Sequence, residues 1–82
     1  MQNLNALYIQ GLKSYQSHDL TGAEKAFREI LSVDPRHAES MHMMAAIGFE
    51  VGRLDMAEEL MQIALSEDPN NADFWFTLGN IY

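Results

Sequence analysis

The chain repeats its own landmarks at a fixed offset. Asp34-Pro35 returns 34 residues later as Asp68-Pro69, Ala23-Glu24 as Ala57-Glu58, Leu20 as Leu54, Leu31 as Leu65 and Ala38 as Ala72. Self-similarity at a period of about 20–50 residues marks a stacked-repeat architecture. One unit cannot bury its apolar face alone and does so against its neighbour. Such stacks work mostly as surfaces for other molecules. The functional question is therefore which face is used and by what kind of partner.

Within each period the apolar residues fall at helical spacing. Leu4, Leu7, Tyr8, Gly11, Leu12 and Tyr15 step by three and four, as one face of a helix requires. Leu20, Ala23, Phe27, Ile30 and Leu31 repeat the pattern, as do Met41, Met44, Ala45 and Phe49. Leu54, Ala57, Leu60, Met61, Ala64 and Leu65 follow, then Phe74, Trp75, Leu78, Ile81 and Tyr82. The punctuation agrees with this periodicity. Thr21 with Glu24 reads as a capping box, and Asp55 with Glu58 repeats it one period later. Asn70 or Asn71 is placed to cap the last helix. Pro35 and Pro69 end the helices before them, because proline disfavours helical geometry in the preceding residue. Gly52 supplies a left-handed stop. His18 stands at the equivalent place one period earlier, so a non-glycine residue is expected to hold that turn.

These signals predict five helices, over residues 4–17, 21–33, 38–51, 54–67 and 72–82. The short connections force neighbours to be antiparallel. The third helix is apolar nearly all round, with Met41, Met43, Met44, Ala45, Ala46, Ile47, Phe49 and Val51, so it is expected at the centre of the stack. The fold class is all-α, with two full helix–turn–helix repeats over 4–37 and 38–71 and a half repeat over 72–82. At 82 residues this is one small domain, which buries only about 60–65% of the surface its unfolded chain exposes.

Trp75-Phe76-Thr77-Leu78-Gly79-Asn80-Ile81-Tyr82 fits the pattern Trp-x-x-Leu-Gly-x-x-Tyr, and Ala23, Phe27 and Asp34-Pro35 fit its second half. Ala57, Ala64 and Asp68-Pro69 fit that half again in the next unit. In these residues the chain resembles the tetratricopeptide repeat family, from about Leu4 to Tyr82. It departs from the family in the tryptophan slot, which holds Leu7 and Met41 in the first two units. The small-residue slot holds Gly11, Ala45 and Gly79, and the second alanine slot of the first unit holds Ile30. A narrower likeness runs through Leu12-Lys13-Ser14-Tyr15, Arg36-His37-Ala38-Glu39-Ser40-Met41 and Leu78-Gly79-Asn80. It is similar to repeats that precede bacterial glycosyltransferase or sulfotransferase domains. That likeness implies the leading piece of a longer protein, without either catalytic domain.

The family resemblance implies a concave groove lined by the first helix of each pair. By repeat position the groove would hold Tyr8, Leu12, Tyr15, His42, Ala46, Phe49, Phe76 and Asn80, rimmed by Asn5, Gln16, Glu39, Glu50 and Asp73. An aromatic groove of this kind suits a peptide or a partner helix, because aromatics offer large contact area at low entropy cost. Tyr15 and Phe49 have a plainer reading as core. Family members that bind acidic chaperone tails use a lysine- and asparagine-rich groove. Here those slots hold Tyr8 and Leu12, so that role is not expected. Trp75, Leu78 and Tyr82 would form an exposed patch on the last helix, meeting either a further helix or a second copy in a homodimer.

Composition removes other functions. Five basic against twelve acidic residues leave a net charge of -7, which repels nucleic acid and anionic membranes. The chain has no cysteine, so no disulfide or thiolate site, and a reducing compartment such as the cytoplasm fits. The start has no signal-peptide pattern. His37 and His42 are badly spaced for one metal site on a helix, and Met41, Met43 and Met44 read as flexible core filler, so neither metal nor cofactor is expected. No serine lies in a nucleophile elbow and no glycine-rich phosphate loop occurs, so no catalytic residue is assigned. The expectation is a non-catalytic scaffold for protein binding. The alternative is an oligomerisation segment of a transferase-type protein.

Overall fold

The computed structural model describes residues 3–81. They form α1 (Leu4–Gln16), α2 (Leu20–Val33), α3 (Ala38–Glu50), α4 (Leu54–Glu67) and α5 (Ala72–Ile81). Each boundary lies within a residue of the predicted one; Tyr82 lies outside the described residues. Helix α1 packs on α2, α3 on α4, and α2 and α4 each also pack on the helix that follows. Among the described residues no helix is long and apolar enough to cross a membrane.

The turns repeat as faithfully as the sequence. After α1, His18 takes φ 65° and the Asp19 amide donates to the Ser14 carbonyl at 2.8 Å. One period later Gly52 takes φ 84° and the Arg53 amide donates to the Gly48 carbonyl at 2.7 Å. This six-to-one bond closes a helix on a left-handed residue, and it satisfies a carbonyl the helix leaves free. At the other boundary Asp34 and Asp68 donate their amides to Ile30 and Ala64. Their carbonyls accept from His37 and Asn71.

The N-termini depart from the predicted caps. Helix α2 starts one residue early, at Leu20, so Asp19 is the cap and its Oδ1 accepts from the Gly22 amide at 3.0 Å. Thr21 falls inside the first turn, and Glu24 pairs with Arg28 one turn on. At α4 the cap position is Arg53, which makes no side-chain cap bond. Asp55 lies in the first turn, where its charge favours the helix dipole instead. Asn71 caps α5 as expected, accepting from Asp73 and Phe74. Asn3 caps α1 in the same way. His37 caps α3 through Nδ1, which accepts from the amide of the fully buried Ser40 at 3.2 Å and lies 2.7 Å from its hydroxyl.

Two apolar clusters share α3. Met44 and Ile47 join Ala23, Phe27 and Ile30, with Leu4, Leu7, Tyr8, Leu12 and Tyr15 packed against them. Met41 and Ala45 join Ala57, Met61, Ala64, Leu65, Phe74 and Leu78. Helix α3 is thus central, as its composition predicts. Its exposed residues lie at its ends, Glu39 in the first turn and Phe49 and Glu50 in the last, with Val51 exposed just beyond. The small-residue slot explains the tight first pair. A Cβ built on Gly11 would lie 2.8 Å from the Phe27 ring, which is itself wholly buried.

Candidate functional site

Helices α1, α3 and α5 contribute side chains to one cavity of about 250 Å³, lined by Tyr15, Ala46, Phe49, Glu50, Thr77 and Asn80. Two cross-repeat hydrogen bonds organise it. The Tyr15 hydroxyl donates to Glu50 Oε1 at 2.8 Å, joining α1 to α3. His42 Nε2 lies 2.7 Å from Thr77 Oγ1, joining α3 to α5. Both pairs are separated by 35 residues, one more than the repeat period. A step of one period plus one thus sets side chains of successive first helices against each other.

The donor in the second pair follows from valence. Thr77 has one hydroxyl hydrogen and gives it to the Asp73 carbonyl at 3.0 Å. Its oxygen therefore accepts, and His42 Nε2 carries the proton. Burial lowers the His42 pKa below its ordinary 6.5, and the charge of Asp73 works against that shift. The neutral imidazole lies on Phe74, with ring centroids 4.9 Å apart. Tyr15 titrates above its ordinary value because burial, then the bond to Glu50 and its charge, disfavour the phenolate. Burial and the charge of Glu39 do the same to Tyr8.

The predicted groove residues divide. Tyr15, Phe49, Asn80 and Ala46 meet at the cavity, and Phe49 is 42% exposed there. His42 reaches the cavity through Thr77 rather than lining it. Tyr8 stands apart, half-buried with its ring 5.7 Å from both Phe27 and His37. Leu12 packs on the first apolar cluster. Phe76 is 71% exposed and does not line the cavity. Thr77 is the cavity neighbour that repeat position alone missed, and the period-plus-one offset from His42 is the signal that finds it.

The expected patch on α5 is smaller than its sequence implies. Leu78 is buried in the second cluster, because α5 turns that side onto α4, so it is corrected from patch to core. Tyr82 lies outside the described residues. Trp75 remains 54% exposed, with its indole N–H donating to the Pro69 carbonyl at 2.7 Å. A Cβ on Gly79 would meet nothing within 4 Å.

A second cleft of about 230 Å³ is lined by Leu20, Thr21, Glu24, Met44, Ile47, Val51, Arg53 and Met56. It has no aromatic wall, so the α1–α3–α5 cavity is the better docking candidate.

The tetratricopeptide repeat family model matches residues 14–81. The chain belongs to the tetratricopeptide repeat family. Tetratricopeptide repeat protein 7B of Homo sapiens is 27% identical over 77 residues, which is 94% of this chain and 9% of that protein. The Mus musculus protein of the same name matches to the same extent. Among solved structures, a mutant of the Thermobaculum terrenum O-GlcNAc transferase superposes with a TM-score of 0.94 at 26% identity. The overlap covers 99% of this chain and 16% of the transferase chain. The chain thus spans a small part of each of these proteins. Tetratricopeptide repeats are generally non-catalytic and mediate protein interactions, so the cavity between first helices is the natural place to look for a partner.

Proposed function

We propose that this tetratricopeptide repeat domain is a non-catalytic interaction module that holds a peptide or a partner helix against the inner faces of α1, α3 and α5. The observation that supports this most is the cavity itself. Tyr15 and Phe49 flank it from successive repeats, and Asn80 and Thr77 supply polar groups beside them. At about 250 Å³ it is smaller than the roughly 300–1,000 Å³ of small-molecule sites, and suits one anchoring side chain of a longer segment. A random-peptide display library selected on the chain tests the reading. Selected peptides should lose about fivefold or more in affinity on Tyr15→Ala or Phe49→Ala, as anchors of an interface do. The exposed Val33 on α2 serves as control, and Val33→Ala should change nothing. Equal affinity across all three variants means that the cavity is not the docking site.

A second reading rests on α5. Gly11 accepts the Phe27 ring at close range, whereas its repeat equivalent Gly79 is open beside the exposed Trp75. This face is suited to receive a helix of a second copy, making the domain a self-associating segment of a transferase-type protein like the one it superposes on. Light scattering over a concentration series should show dimer, reduced by Trp75→Ala. A monomer at every concentration rules this reading out.

A further inference from the structure

The charges around the cavity are one-sided. Glu50 lines it and Asp73 acts on His42, while Glu39 lies farther along α3, beside Tyr8 and 3.8 Å from His37 Nε2. Helices α3 and α5 contain no lysine or arginine, and α1 has only Lys13, which does not line the cavity. The remaining cations, Lys25, Arg28, Arg36 and Arg53, belong to α2 and to connections. Arg28 is already paired with Glu24, and Arg36 with Glu67 at 3.1 Å. The inner face therefore combines exposed aromatic surface with two carboxylates, Glu50 and Asp73, that no lysine or arginine pairs among the described residues.

We propose that this face selects a cationic peptide segment, seating one arginine or lysine side chain over Phe49 and against Glu50. The inference deepens the groove reading above and rests on it. A cation over an aromatic face is attracted by the ring quadrupole. Glu50 is held in place for this by Tyr15, whose hydroxyl occupies Oε1 and leaves Oε2 to accept from the incoming cation. Asn80 and Thr77 offer side-chain acceptors at the same wall. Asp73 and Glu39, in the first turns of α5 and α3, favour further positive residues toward that end of the face, by complementary charge rather than by close contact.

The probes are short dye-labelled peptides alternating alanine with arginine, with glutamine or with glutamate, read by fluorescence anisotropy against the whole chain. The arginine peptide should bind saturably, and more tightly than the other two. Its affinity should fall about two- to fivefold on Phe49→Ala and by about as much on Glu50→Gln, whose amide oxygen can still accept from Tyr15. Circular dichroism confirms that each variant is folded. Glu59→Gln, on the exposed side of α4, removes the same charge elsewhere and should leave binding unchanged. An equal loss on Glu59→Gln would overturn the proposal, because the attraction would be that of net charge alone. Glutamine or glutamate peptides that bind as tightly, and lose affinity on Phe49→Ala, would overturn cation selection and leave groove docking standing. Arginine-peptide binding that no inner-face variant alters would overturn both. Failure of all three peptides to bind overturns cation selection, while the library selection still tests the groove on its own.

Discussion

At the scale of single residues, equivalent positions in the repeat obey opposite rules where their surroundings differ. His18 and Gly52 both occupy the left-handed region, yet only one is a glycine. The left-handed cost to an L-residue is about 1–2 kcal/mol, and glycine's extra unfolded-state freedom offsets about 0.5–1 of it. His18→Gly should therefore raise stability by a few tenths of a kcal/mol, and Gly52→Ala should lower it by about 1 kcal/mol. Urea unfolding midpoints read both, and a clear loss on His18→Gly would give His18 another role. Gly11 and Gly79 make a second contrast. Both gain about 1 kcal/mol of helix propensity as alanine. At Gly11 the new methyl meets the buried Phe27 ring, an overpacking cost of about 1–3 kcal/mol that outweighs the gain. Gly11→Ala should destabilise and Gly79→Ala should stabilise; the same sign for both would contradict the packing seen here. The pattern of glycines was legible in the sequence. Which glycine touches something was not, because that depends on where another helix's ring comes to rest.

At the scale of elements, α5 is held by Phe74, Leu78 and the bond between His42 and Thr77. That attachment makes stability pH-dependent in a defined direction. The folded His42 has a pKa below 6.5, so below that pH the unfolded chain binds a proton that the folded chain does not. Its contribution is complete above the unfolded value, declines as pH falls below 6.5, and is fully lost beneath the folded pKa. Urea midpoints measured between about pH 8 and about pH 5 should fall less steeply in His42→Leu than in the native chain. In Asp73→Asn they should fall more steeply, because the charge opposing the shift is gone. Parallel profiles in all three would remove His42 as the cause. Element ends were readable to within a residue from proline, glycine and apolar spacing. The caps of α2 and α4 were not. The residue spacing of a capping box also occurs when its first member lies just inside the helix, and the one-residue shift at Leu20 handed the role to Asp19.

At the scale of the whole molecule, α3 ties the two apolar clusters together by giving Met44 and Ile47 to one, and Met41 and Ala45 to the other. Repeat proteins unfold as units coupled through their interfaces, and here the interface is a helix that both units share. Total stability for a chain of this length is about 4–12 kcal/mol. Ile30 is wholly buried, and Ile30→Ala should cost about 2–5 kcal/mol. Unfolding followed by Trp75 fluorescence, in the other half of the stack, should shift by the same amount as unfolding followed by circular dichroism. A Trp75 midpoint unmoved by Ile30→Ala would show that the two halves melt separately.

The 34-residue period, the apolar spacing within it and the motif residues together determined the helical repeat, the order of its helices, the centrality of α3 and the family. Each of these follows from local spacing and from apolar surface that one unit cannot bury. The tertiary structure decided the rest. It joined Tyr15 to Glu50 and His42 to Thr77, buried Leu78, left Phe76 in the open and drew Leu12 into the core. Those outcomes depend on how far each helix is rotated against the next. That rotation is set by the packing of rings and small residues between helices, which a period along the chain does not encode.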